Sequence, residues 1–166
     1  MCAMTIICTQ SNASMPKPEP FEAAFERFSK LFIPQCEEIM RDLPFDYPEK
    51  DKDFETLSKY LSNIKADDIA GIRRSMENNP KDPHGLPYWL RRTTTDIIGF
   101  RRVLDQMIII NLANNNMRLN KNLQEKLKKY WDAERYYSLR FEDEAYRIDL
   151  NAKLSANSKT PEDAGR

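Results

Sequence analysis

The sequence predicts an all-α fold: an irregular helical bundle of five or six helices that ends in a long amphipathic one. Three observations carry this. Residues 119–155 contain neither Gly nor Pro, and Leu123, Leu127, Tyr130, Tyr137, Phe141 and Ile148 recur there at steps of three and four or their multiples, the spacing that lines side chains along one helical face. Four Gly in 166 residues are too few for a turn-rich β sandwich. The apolar residues upstream keep a similar helical period, with breaks where Pro, Asn and Gly cluster.

Taken in order, residues 1–20 read as a flexible Pro-rich arm in which Pro16, Pro18 and Pro20 alternate with Lys17 and Glu19, a polyproline-like pattern; Met15 is a candidate second start that sequence alone does not settle. Phe21, Ala24, Phe25, Phe28, Leu31 and Phe32 predict a first helix that Pro34 ends near Leu31 or Phe32. A second, short helix over 35–41 uses Pro34 in its first turn. The string Leu43-Pro44-Phe45-Asp46-Tyr47-Pro48 is a rigid connector. Asp51 or Asp53 caps a third helix with Phe54, Leu57, Leu61 and Ile64 on one face, and Asp67 caps a fourth with Ile69, Ile72 and Met76. Asn78-Asn79-Pro80 stops it, and 81–87 is a loop. Pro87 opens a fifth helix from Tyr88 through Ile108-Ile109-Ile110; that β-branched run also suits a short buried strand, but no partner strand is evident. Asn114-Asn115-Asn116 is a break and Asn120 a cap for the last helix. Along it, Glu125 to Lys129, Asp143 to Arg147 and Asp149 to Lys153 place acid before base at i,i+4. The domain thus spans 21–155, with a loose polar tail over 156–166.

Composition narrows the function. The 26 basic and 26 acidic residues cancel, so no overall field draws the chain to nucleic acid or an anionic membrane. Cys2, Cys8 and Cys36 are odd in number and form no CxxC, which argues against a disulfide framework and for a reducing, intracellular compartment. Residues 1–8 are apolar but lack the basic start of a secretory signal, and no apolar run approaches the roughly 20 residues of a membrane span; peripheral association with a membrane complex is the remaining membrane reading.

Catalytic sets are missing. The lone His84 lies in a Pro/Gly loop, and no serine stands on a nucleophile elbow. Zinc needs clustered Cys and His, and the cysteines here are few and scattered; a carboxylate-bridged di-iron site needs two Glu-x-x-His motifs, which one histidine excludes. Gly71, Gly85, Gly99 and Gly165 form no phosphate-binding loop. Glu37-Glu38 and Asp67-Asp68 read as solvated helix ends, and the Asn12-Ala13-Ser14 sequon matches a pattern common by chance. The expectation is no enzyme, no metal and no cofactor.

Two features stand out. Arginine pairs fall at Arg73-Arg74, Arg91-Arg92 and Arg101-Arg102; on one helix Arg91 and Arg102 come within about 20° of each other at roughly 100° per residue. With Lys121, Lys126, Lys128 and Lys129 they form either an anion-binding face, for phosphates, acidic protein or lipid headgroups, or an ordinary solvated face. The aromatic residues Tyr130, Trp131, Tyr136, Tyr137, Phe141 and Tyr146 point around more than one helical face. They are either partner contacts or a wide face enclosed by the chain's own bundle. A dimeric coiled coil along the Leu123 seam is disfavoured, because that seam meets Glu134 and Glu144.

Several short strings, in order, resemble the small matrix-facing helical subunit of ubiquinol–cytochrome c reductase (respiratory complex III): Ser29-Lys30-Leu31, Met40-Arg41-Asp42, Ile72-Arg73-Arg74, Arg101-Arg102-Val103-Leu104-Asp105, Leu119-Asn120-Lys121 and the aromatic, acidic stretch from Tyr130 to Phe141. They cover 29–148 with gaps. Asn120 stands where that family has proline, extra residues separate Asp105 from Leu119, and the His84 loop is additional. The resemblance implies a non-catalytic supernumerary subunit of the mitochondrial matrix side, with no redox ligand.

The functional expectation is a non-enzymatic structural or adaptor subunit of a larger protein assembly, docking through its C-terminal helix. Tyr130, Trp131, Tyr137 and Phe141 are the expected anchors, and Arg91, Arg92, Arg101 and Arg102 the expected contacts to an anion or acidic partner. The competing class is a helical nucleic-acid-binding module using the arginine pairs; without the complex III resemblance, the expected location is cytoplasmic.

Overall fold

The protein is described here by a computed structural model covering residues 19–77, 84–115 and 119–158. Most of the N-terminal arm, with Met15, the Asn12 sequon, Cys2 and Cys8, lies outside the described residues, as do Asn78-Asn79-Pro80, Asn116 and the end of the polar tail. The described residues form an all-α bundle of four helices rather than five or six.

The difference lies in two places where a break was expected and the helix continues. The first helix, α1, runs as α-helix over Phe21–Arg27, widens to a π-turn over Phe28–Phe32, and resumes over Ile33–Asp42. Pro34 therefore does not end it. A proline ring strikes the carbonyl four residues back and cannot donate to it; the wider turn just upstream relaxes that carbonyl row and absorbs the missing bond. The second helix, α2, follows the same plan: Lys50–Asn63, a π-turn over Ile64–Asp68, then Ile69–Met76. No side chain caps its start; Asp53 instead accepts a hydrogen bond from Tyr47 Oη at 2.7 Å. Asp67 caps nothing, because the chain passes through it as helix.

The third helix, α3, is Leu86–Asn115, so the isoleucine run is helical and two of the three asparagines extend it. The fourth, α4, is Lys121–Asn157. Asn120 caps it as the sequence predicts, accepting a hydrogen bond from Leu123 N at 2.8 Å, and Ala156 and Asn157 still belong to it.

Contacts along the helices give the topology. Phe21 meets Phe141, and Asp42 meets Lys126 Nζ at 2.5 Å, so α1 and α4 are antiparallel. Arg91 reaches Asp149 at 2.5 Å, while Asp105 receives a hydrogen bond from Trp131 Nε1 at 2.9 Å, so α3 and α4 are antiparallel too. Gly71 lies against Trp89, and Gly99 against Tyr60, which reverses α2 against α3. The result is an up-down-up-down bundle.

Aromatic rings fill its centre. Phe28 packs edge-on to Tyr137 and Phe141 at 5.2 and 5.0 Å between ring centres, and Phe32 lies parallel to Tyr130 at 5.7 Å. Leu57, Ile72, Leu90, Phe100, Leu104 and Met107 complete the core. The two close glycines let α2 and α3 approach: a Cβ at Gly71 would sit 2.2 Å from the Trp89 ring, and one at Gly99 2.5 Å from the Tyr60 ring.

Two stability changes follow. Phe141→Ala, at a fully buried ring, should cost about 3–5 kcal/mol, and Gly71→Ala about 1–3 kcal/mol by forcing α2 from α3. Urea unfolding followed by circular dichroism measures both; a Phe141→Ala midpoint equal to wild type would contradict this core.

Candidate functional site

The long helix α4 has two opposed faces. At roughly 100° per residue, Leu123, Leu127, Tyr130, Glu134, Tyr137, Phe141, Glu144 and Ala145 cluster on one side, and all of them are buried. Three expected anchors are thereby placed inside: Tyr130 and Phe141 are completely enclosed and Tyr137 is 5% exposed. They are core residues, because the phenylalanines of α1 cover them. The fourth, Trp131, is half-buried and donates its indole N–H to Asp105. Tyr136, on the flank, is held by Glu19, to which its hydroxyl donates at 2.9 Å, and by the Arg27 guanidinium over its ring.

On α4 the face diametrically opposite carries the exposed leucines; elsewhere Leu31, Ile109 and Leu112 are exposed as well. Leu139, Tyr146 and Leu150 fall within about 40° of one another by the same arithmetic, with Leu154 alongside; they are 62%, 65%, 40% and 59% exposed. The first half of that face carries Lys121, Glu125, Lys128, Asp132 and Arg135, all exposed. Its character therefore changes at Leu139, from wholly charged to apolar with scattered charges. Near the same end the bundle stops: every residue over 150–158 is exposed, including the inward positions Asn151, Ala152 and Ser155, of which only the Ala152 methyl is apolar. The helical part of that extension, 150–157, is about 12 Å long at 1.5 Å per residue. Pattern counting missed this stripe because the rings of the inner face dominate the helix; separating residues by angle rather than by aromatic character would have shown it.

The arginines do not gather into an anion-binding face. Arg91 binds Asp149, Arg92 binds Asp67 and approaches Asp68, and Arg101 bridges Asp105 and Glu134. Arg73 binds Glu26 and Arg74 lies over Trp89. Arg102 is exposed, beside Tyr60 and Thr95. Lys126 bridges Glu38 and Asp42. Arg102 apart, these cations join one helix to another, and all but Arg74 do so through carboxylates. The expected i,i+4 pairs give way similarly, since Arg147 turns to Glu144 and Asp149 to Arg91.

One group was misread by sequence altogether. Asp68 is completely buried instead of solvated, on the inner side of the π-turn of α2, and Asp96 of α3, 8% exposed, faces it. Arg92 Nε lies 3.1 Å from Asp68 Oδ1, outside hydrogen-bond geometry, so neither Asp68 oxygen has a donor unless a proton sits between the two carboxyls. Burial, then the hydrogen bond and charge of Asp96, push Asp68 up from 3.8 to about 7, against the pull of Arg92. Both acids occupy steps of otherwise apolar stripes (Leu61, Ile64, Asp68, Ile72 and Thr93, Asp96, Phe100), and that interruption was the available signal. The pair lies buried between α2 and α3.

His84 stacks on Tyr88 with ring centres 4.0 Å apart, at an open cleft of about 620 Å³ that Ser75, Glu144 and Arg147 also line. Ser75 Oγ donates to the His84 backbone carbonyl at 3.4 Å, and both Arg140 and Arg147 already hold Glu144. Buried Cys36 has its thiol pushed up by its apolar surroundings, away from nucleophilic use. Among the described residues no cluster of His, Cys, Asp and Glu could hold a metal ion, and no helix is long and apolar enough to cross a membrane. Fold and surface define an all-α four-helix protein. Compared with known proteins, the chain matches no family model, no curated protein and no solved structure.

The carboxyl pair makes stability depend on pH. Between about pH 4 and pH 7 the folded state keeps a proton that the unfolded chain has lost, so stability falls as pH rises through that window, on the order of 2–4 kcal/mol. Asp68→Asn, whose amide supplies a donor at every pH, should flatten that fall. Urea midpoints from about pH 5 to pH 8 measure it; parallel profiles for the two proteins would rule the pair out.

Proposed function

We propose that this protein is a non-enzymatic structural or adaptor subunit that docks onto another protein chain through the outer face of α4, over 139–157. One observation carries the reading: an apolar stripe opposite the core-facing side of α4, continuing onto a helical end that the bundle does not support. Two exposed turns carrying Leu150 and Leu154 gain little stability alone, since short helices in water depend on packing of an apolar face. A partner surface supplies that packing, and an exposed apolar stripe with charged flanks suits protein contact.

The anchors are thus Leu139, Tyr146, Leu150 and Leu154 in place of Tyr130, Tyr137 and Phe141. The nucleic-acid alternative draws no support from arginines already bound to carboxylates, because affinity for phosphate rests on cations free to displace counterions. The subunit role implied by the complex III resemblance belongs to this same docking class, and no further geometry singles it out.

A photo-crosslinking residue at position 150, introduced in cells of the native source, should give a discrete protein adduct. The same residue at Ser58, on the exposed side of α2, should give none. Adding Leu139→Glu should abolish the adduct at 150 while leaving the circular dichroism spectrum unchanged. Absence of any adduct at 150, or equal labelling from both positions, would refute the docking face.

A further inference from the structure

We propose that the occupant of the α4 outer face is a second copy of the same chain, paired antiparallel with it over 139–157 to make a homodimer. This rests on the docking reading above and names its partner.

The spacing fits a two-helix seam. Leu139, Asp143, Tyr146, Leu150, Lys153 and Asn157 follow one another at steps of four, three, four, three and four, the heptad alternation that keeps one face toward a partner helix. This is a different seam from the one through Leu123, whose Glu134 and Glu144 are buried inside the bundle. All six outer positions are exposed, so a helix can approach without moving the core.

Charge chooses the occupant and its direction. Within this seam the two charged residues are Asp143 and Lys153. Set two copies antiparallel about a point midway between Tyr146 and Leu150, and Asp143 of each faces Lys153 of the other. The same symmetry sets Tyr146 against Leu150 twice, at the centre, and Leu139 against Asn157 at the ends. A parallel pair would instead set Asp143 against Asp143 and Lys153 against Lys153. The stripe is thus complementary to itself, as a two-fold interface requires, in one direction only. Neither charge is strongly committed within its own chain: Asp143 stands 3.9 Å from Arg140, and the acid expected to hold Lys153, Asp149, is bound by Arg91. The seam spans about 28 Å of helix, short enough that association in the micromolar range is expected.

Sedimentation equilibrium of the full chain tests this. The wild-type mass should rise from one chain toward two with concentration. Asp143→Lys and Lys153→Asp, each placing like charges together at both ends of the seam, should each weaken association about tenfold. An equal mixture of those two variants should recover it, because each lysine then faces an aspartate of the other chain, and the double variant Asp143→Lys/Lys153→Asp should recover it alone. Circular dichroism should show every variant folded. A wild-type protein that stays monomeric at every concentration, or a mixture no tighter than either variant, overturns the homodimer. If the crosslinker at 150 then still yields an adduct with another chain, the docking reading survives and only the second copy is lost; if it yields none, both fall.

Discussion

The structure depends on one constraint: a single long helix must serve the core and the exterior from opposite sides. Tyr130, Tyr137 and Phe141 of α4 interlock with Phe21, Phe28 and Phe32 of α1, while Leu127 and Leu123 extend the same buried face toward the start of the helix. These rings supply the apolar area on which a bundle of this size relies, at about 25 cal/mol per Å² removed from water. The direction in which they point also fixes the direction of everything on the far side. Leu139, Tyr146 and Leu150 face outward because Tyr137 and Phe141 face inward.

Charge does the remaining work of joining the helices. Arg101 with Glu134, Arg91 with Asp149, and Lys126 with Glu38 and Asp42 link elements distant in sequence. The exposed pairs among these, Arg91 with Asp149 and Lys126 with Glu38 and Asp42, contribute little each, typically under 1 kcal/mol, whereas Glu134 is buried beside Arg101. They fix register more than they stabilise, and they leave a surface of nearly cancelled charge, in keeping with equal numbers of acids and bases. Against that background, a run of exposed Leu and Tyr on one side of one helix is a contrast of kind. The buried Asp68–Asp96 pair is the opposite case, a polar contact that costs desolvation and makes the α2–α3 contact sensitive to protonation.

Much of the fold was legible in the residues, and the parts that were not have definite causes. The terminal helix, its Asn120 cap and the single face that its stripe occupies follow from period and capping chemistry alone, while the direction of that face does not. Helix counting failed at Pro34 and at Asp67 because both were taken as boundaries, and a π-turn carries no composition of its own: it can only be seen once backbone bonds are drawn. Asp68 reads as a solvated residue because its neighbour Asp67 is exposed, one position around the same turn of helix. Three of the four expected anchors, Tyr130, Tyr137 and Phe141, are core residues for a related reason. Aromatic character ranked Tyr130, Trp131, Tyr137 and Phe141 first, yet large rings stabilise a core as readily as an interface, and only the three-dimensional placement of α1 shows which they do. The arginine pairs looked like a patch because sequence shows the cations together and hides the acids that other helices bring to them.

The central claim is that α4 is supported by its own bundle up to about Ile148 and by a partner beyond it. Amide hydrogen exchange along α4 of the full chain, read at low and at high protein concentration, tests that most directly. Strong protection is expected from Leu123 to Ala145 at both concentrations. Over 149–157 exchange should be fast when dilute and clearly slowed when concentrated. Equal, strong protection to Asn157 in the dilute chain would contradict the claim, for the helix end would then stand without a partner.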